Sequence, residues 1–418
     1  MIPFEMAARL AGVASGELGL IGPEVVQIDL TDRCPNNCIG CWARSPFLRP
    51  EDNYDGLEKG ELETDVVIKL LDELEKLRVN HIFFGGGGEP FAHPDVMRII
   101  EEAKKRRFFV TVNTNFLLMD PHRVEWLFSL GIDELIISLW AATAETYALC
   151  HPNQTPETFG KIIANIQHLQ HLKRTHNKKV PRLKLYNVIC NLNYREIPEM
   201  AWLGHHLAAE KVEYAAFDPI PRRTDHFMLQ PQQIADALKL IESVKDVPEP
   251  PRIDYALFVR RLKHPDAVKG AYDNGIYFNL HCFAGWFFAR ITTTGELHSC
   301  LKSHRIPVGN IHEKSFAELW NSPAQREFRR HTFKIDVNDP YLRKIGHDID
   351  FPLPGCFRIC DNIGQNELIQ GYWKGLSARE KMVVERIVSA ARQGKSIDEL
   401  EEVYRKAERE SEEAAFEK

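Results

Sequence analysis

The 418 residues allow two or three ordinary domains, or one barrel-sized unit with additions. Hydrophobic residues at 44% and charged residues at 27% exclude wholesale disorder and a collagen-like repeat, and no apolar run approaches the roughly 18 residues a bilayer span requires. A formal charge of −6 supplies no global field for nucleic acid or anionic lipid, so neither is expected as a partner.

The stretch Met1 to Ala14 lacks a basic region, a long apolar run and a small-residue cleavage site, which predicts a cytoplasmic protein. Nine cysteines in that setting point to metal or redox chemistry rather than a disulfide framework. Residues 1–24 read as an N-terminal helical segment. From 25 to 218 the chain alternates β-branched or aromatic runs with helical periodicity, the pattern of βα units around a parallel sheet. The six strands are Val26–Leu30, His81–Phe84, Phe108–Val112, Glu134–Leu139, Leu183–Ile189 and Val212–Phe217. Val67, Leu70, Leu71 and Leu74 give one helical face. Thr155 and Pro156 open another, with Ile162, Ile163, Ile166 and Leu169 on its apolar side. The α/β fold class follows, and strands connected this way curl into a full or partial barrel.

Prolines interrupt a connector over 219–280, which carries a helix near Gln232–Val244. A second cysteine-bearing block occupies 281–365, and a charged helical tail fills 366–418, with Met382, Val383, Ile387 and Leu400 as its apolar stripe.

Cys34, Cys38 and Cys41 stand on one short loop directly after the first strand. Three thiolates there can converge on a soft-metal centre, either an iron–sulfur cluster or a structural zinc with a fourth ligand from elsewhere. Gly85-Gly86-Gly87-Gly88-Glu89-Pro90 follows the second strand. Glycines let backbone carbonyls approach a ligand, and the carboxylate can pair with an ammonium group. No Lys-Ser or Lys-Thr follows, which excludes a phosphate loop. Together these two motifs resemble the radical S-adenosylmethionine (radical SAM) enzymes.

The resemblance implies a partial (β/α)6 TIM-like barrel in which Cys34, Cys38 and Cys41 hold a 4Fe–4S cluster whose open iron binds S-adenosylmethionine. It further implies an electron from a ferredoxin or flavodoxin, reductive cleavage to a 5′-deoxyadenosyl radical, and hydrogen abstraction from a substrate carbon. Gly87, Gly88 and Glu89 are then cofactor-binding residues. Asn113-Thr114-Asn115 and Ser138 stand at the strands' carboxyl edge, and Thr114 and Ser138 resemble positions that hold the cofactor's ribose and carboxylate. Phe116 replaces the family's usual glycine, and Trp140-Ala141 replace Asp-Gly, predicting a more aromatic, less acidic wall.

Cys282, Cys300, Cys356 and Cys360 supply four sulfurs for a second centre. Ala289–Thr292 and Glu296–Ser299 read as a hairpin around Thr293-Thr294-Gly295, bringing the first pair together. Zinc satisfies the same count. The spacing, with Val308-Gly309-Asn310-Ile311 and Phe316–Asn321 downstream, resembles the family's SPASM/Twitch extension and implies a C-terminal auxiliary domain with one auxiliary 4Fe–4S cluster. The expected activity is that of an oxidoreductase or maturase acting on a small natural-product or sugar-like molecule or on a peptide. One alternative is an epimerase using Cys190, at the end of strand five, as a catalytic hydrogen-atom donor; another is a non-catalytic iron–sulfur or zinc module. Cys150 reads as a buried small hydrophobe. Arg222, Arg223, Asp225 and His226 either touch a substrate or form a solvated loop.

Overall fold

The structure is a computed structural model that describes residues 2–49, 60–346 and 353–416; positions 1, 50–59, 347–352 and 417–418 of the blocks above lie outside them. Its centre is one ten-stranded sheet. Strands β1 (Val25–Ile28), β2 (His81–Phe84), β3 (Phe109–Thr114), β4 (Glu134–Ser138), β5 (Arg182–Ile189) and β6 (Lys211–Ala216) are the six expected from the sequence, and each pairs parallel with the next. The buried alternation of β5 and β6 turns Leu183, Leu185, Val212 and Tyr214 into a core shared with the outer helices. Thr64–Lys76 buries Val67, Leu70, Leu71 and Leu74, the face its spacing predicts. The helix Pro156–Thr175 begins with Pro156 at its first position and Thr155 at the cap, where the threonine side chain makes no capping bond.

Two features extend the sheet beyond the six units. The connector contributes β7 (Arg252–Asp254), parallel to β6, together with the helices Pro231–Ser243 and Ala256–Leu262. The prolines preceding β7 hid this strand from a periodicity argument, yet they are tolerated where a strand begins at a sheet edge. On the other side β8 (Phe288–Ile291) pairs parallel with β1, then turns through a hairpin into antiparallel β9 (Glu296–His298) and β10 (Gly309–Asn310). The resulting order is β10-β9-β8-β1-β2-β3-β4-β5-β6-β7, so the cysteine-bearing C-terminal region is built onto the first barrel strand. Its register places Gln27 beside Arg290.

A second apolar core joins the two ends of the chain. Phe4–Ser15 buries Phe4, Ala7, Ala8, Leu10 and Ala11 against Val383, Val384 and Ile387 of the tail helix Ala378–Arg392, and against Leu400 and Tyr404 of the helix Ile397–Phe416. Met382 is only half-buried. No described helix is long and apolar enough to cross a membrane.

Candidate active site

The two motif loops interlock. Gly88 N–H donates to the carbonyl of Thr31 at 2.8 Å and Glu89 N–H to that of Arg33 at 2.8 Å. A Cβ on Gly88 would stand 2.3 Å from the Arg33 carbonyl oxygen, and Gly86, at φ 92°, would thrust one to 2.4 Å from Asp29 Oδ1. Only glycine permits that approach. The turn of the β8–β9 hairpin locks onto the same loop, with Thr293 Oγ1 donating to Asp32 Oδ2 at 2.6 Å.

Cys34, Cys38 and Cys41 lie close enough to perturb one another electrostatically. Cys34 Sγ accepts from Asn36 N–H at 3.4 Å and Asn115 Nδ2 at 3.5 Å. Burial pushes the Cys34 thiol up to about 11 and also raises Cys38. A desolvated thiolate needs cationic compensation, and metal supplies it.

The second group forms likewise. Cys282, Cys356 and Cys360 are buried in one cluster with Tyr277, Leu280 and Phe357, and Cys300 feels the charge of Cys282. Burial pushes Cys282 and Cys300 up to about 12 and raises Cys356 and Cys360 as well. Tyr277 hydroxyl and Cys360 Sγ are 2.6 Å apart, and Lys302 N–H donates to Cys300 Sγ at 3.4 Å. Around Cys360 the backbone is held by a buried ion pair. Arg261 Nη2 lies 2.7 Å from Asp273 Oδ2 and donates to the Cys360 carbonyl at 2.9 Å, while Cys360 N–H donates to Asp273 Oδ2 at 2.7 Å.

Between the two groups lies a cavity of 480 Å³. Cys41 lines it at one end with Gly40, Trp42, Gly86 and Gly87; Leu301, Lys302, Ile359 and Asp361, next to the second group's cysteines, line it at the other. Trp140, Tyr186 and Phe217 add the aromatic surface expected from the substitution at Trp140, but Asp218 and Asp361 line the same cavity, so the expected loss of acidic character is not seen. Asn113 Oδ1 at this wall is buried without a hydrogen-bond partner, as a site for a polar ligand requires.

Of the residues singled out for cofactor binding, Gly87 lines the cavity. Glu89 is buried behind it, its Oε1 accepting from Thr114 Oγ1 at 2.6 Å and Phe91 N–H at 3.2 Å and its Oε2 from Asn115 N–H at 2.8 Å. Burial pushes Glu89 up to about 7 despite these bonds. Ser138 Oγ accepts from Trp140 Nε1 at 2.9 Å and so fixes the indole. Cys190 is buried beside Cys150 in an apolar cluster with Trp140 and Phe217 and does not itself line the cavity. Neither do Arg222, Arg223, Asp225 or His226.

Sequence reasoning missed Lys302, Asp218, Asp361 and the pair Arg290–Asp29. Lys302 Nζ sits 2.6 Å from Asp218 Oδ2 and 4.0 Å from Asp361 Oδ2. Arg290 donates to Asp29 Oδ2 through Nε at 2.8 Å and Nη2 at 2.5 Å, and Gln27 Nε2 donates to Oδ1 at 2.9 Å. Proximity to a cysteine, Lys302 two positions after Cys300 and Asp361 directly after Cys360, was the one available signal.

Residues 28–201 match the family model described as Radical SAM superfamily, and residues 282–340 match SPASM, an iron-sulfur cluster-binding domain. The chain belongs to the radical SAM superfamily. This radical SAM enzyme therefore works with a 4Fe–4S cluster and S-adenosylmethionine, and its SPASM domain adds iron–sulfur binding. Cys282 and Cys300 fall inside the SPASM match, whereas Cys356 and Cys360 lie beyond it.

Two curated proteins illustrate the relationship. The tungsten-containing aldehyde ferredoxin oxidoreductase cofactor-modifying protein of Pyrococcus furiosus is 26% identical over 328 residues, covering 72% of this enzyme and 82% of that protein. PqqA peptide cyclase of Gluconobacter oxydans is 24% identical over 328 residues, with 73% and 79% covered. Among solved structures, Streptococcus suis SuiB bound to S-adenosylmethionine superposes with a TM-score of 0.58 at 15% identity, over 86% of this enzyme and 77% of that chain. This last likeness establishes the shared partial-barrel fold.

Proposed function

We propose that this enzyme matures a peptide or a small natural product by abstracting hydrogen from one of its carbons inside the 480 Å³ cavity. The observation carrying this reading is that one cavity is lined both by Cys41 and by Leu301, Lys302, Ile359 and Asp361, the chain neighbours of Cys300 and Cys360. Cys34, Cys38 and Cys41 would hold the 4Fe–4S cluster; Cys282, Cys300, Cys356 and Cys360 would hold one auxiliary 4Fe–4S cluster, for which four thiolates complete the coordination. S-adenosylmethionine bound at the first cluster, once that cluster is reduced by a low-potential donor such as a ferredoxin or flavodoxin, would supply the 5′-deoxyadenosyl radical and leave methionine.

The chain's own residues do the rest. Gly87 and Gly88 leave backbone open to the cofactor's methionine part, and ionised Glu89 attracts its ammonium group while Thr114 holds the carboxylate in place. Ser138 orients Trp140, which closes the wall and excludes water from the reacting carbon. The peptide arm of the proposal is supported by the likeness to PqqA peptide cyclase, and the small-molecule arm by the cofactor-modifying protein.

Anaerobic reconstitution with iron and sulfide tests the reading. Two four-iron clusters give about eight iron atoms per chain. Dithionite with S-adenosylmethionine should then release 5′-deoxyadenosine, and replacing Cys34, Cys38 and Cys41 by alanine should abolish that product while retaining about four iron atoms. A brown protein that never cleaves the cofactor overturns it.

A further inference from the structure

We infer that the substrate carries a cationic nitrogen, an ammonium or guanidinium, which docks against Asp361 at the auxiliary end of the cavity. The inference rests on the reading that this cavity holds the substrate, and names what that substrate must contain.

Charge balance leads to it. The charges that act most on Asp361 are those of two cations, Lys302 and Arg261, and two further carboxylates, Asp218 and Asp273. Asp273 is fully engaged, taking the Arg261 fork at 2.7 and 3.2 Å and the Cys360 N–H at 2.7 Å. Lys302 is the closer partner of Asp218, at 2.6 Å against 4.0 Å to Asp361. The pair Arg290–Asp29 neutralises itself further along the wall. One carboxylate is thus left over, and it is the most accessible: the Asp361 side chain is 36% exposed, against 20% for Asp218 and 7% for Lys302. It lines the cavity.

A carboxylate in a half-enclosed, weakly solvated cavity gains more from an incoming cation than one in bulk water. The aromatic surface of Trp140, Tyr186 and Phe217 suits the same charge, because ring faces attract cations. A nitrogen seated at Asp361 would leave the rest of the substrate extending toward Cys41, so the carboxylate also sets which carbon meets the cofactor.

The test uses the reconstituted, unreduced enzyme with S-adenosylmethionine bound, and reads binding by anaerobic calorimetry. Two arms separate a free amine from a peptide side chain: tyramine against 4-hydroxyphenethyl alcohol, and acetyl-Tyr-Lys-amide against acetyl-Tyr-Gln-amide. At least one cationic probe should bind about tenfold more tightly than its neutral counterpart, as a hydrogen-bonded charge pair predicts. Asp361→Asn should abolish that preference with iron and sulfide content retained. Lys302→Met, which frees Asp218 and Asp361 together, should enlarge it, an effect that structural damage does not produce. Absence of any cation preference in the wild-type enzyme, or its survival in Asp361→Asn, overturns the inference. Because 5′-deoxyadenosine release is measured separately on reduction, failure of the broader reading is distinguishable from failure of this one.

Discussion

Glu89 and Thr114 are joined by a 2.6 Å hydrogen bond from the threonine hydroxyl to carboxylate Oε1, which ties the loop after β2 to the end of β3. Burial holds this carboxyl at about 7, above its ordinary 4.5, so its stabilising contribution is complete below pH 4.5 and is lost as pH rises through about 7. Thr114→Val removes the bond that supports the ionised form. The expected cost is about 2 kcal/mol at pH 8, where the bond is charge-assisted, and about 1 kcal/mol at pH 6. Urea denaturation at the two pH values measures both, and equal losses would contradict the assignment.

Phe116 and Trp140 each adopt φ 62°, a left-handed conformation that favours glycine. Phe116 is also buried to 1% exposure, so either small replacement costs packing, roughly 3–5 kcal/mol. Phe116→Gly should nonetheless be more stable than Phe116→Ala by about 1 kcal/mol, since only glycine relieves the backbone. This reverses the order found at ordinary sites. Parallel denaturation curves of the two variants decide it.

Asp273 pairs with buried Arg261 and also accepts the Cys360 N–H. Asp273→Asn leaves the guanidinium without its counter-charge, at a cost of about 3–5 kcal/mol, and loosens the backbone beside Cys360. Iron analysis should fall by about four atoms per chain while reductive cleavage of S-adenosylmethionine persists. Loss of cleavage together with that iron would place Asp273 in a different role.

Ile387 is fully buried between the tail and the N-terminal helix. Ile387→Ala should lower stability by about 2–5 kcal/mol by opening a cavity there. At temperatures where the fold persists, 5′-deoxyadenosine formation should be unchanged, as the second core lies apart from the cavity residues. A thermal melt paired with that assay separates the two effects.

Sequence alone determined what local spacing encodes. Cys34-x3-Cys38-x2-Cys41 and the Gly85–Pro90 run lie within single loops, and strand and helix faces repeat over a few residues, so chemistry and βα order were legible. The strand ends were less so: β3 continues through Asn113 and Thr114 because these pair with Ile136 and Ile137 of the neighbouring strand. Long-range juxtaposition was decided only by the tertiary fold. Lys302 meets Asp218 across 84 positions and stands 4.0 Å from Asp361, which follows the last cysteine. Likewise β8 docks on β1, and the two chain ends share a core. Nothing in the spacing of such residues marks them, because Coulomb attraction and apolar burial depend on distance in space, and only the folded sheet brings these groups together.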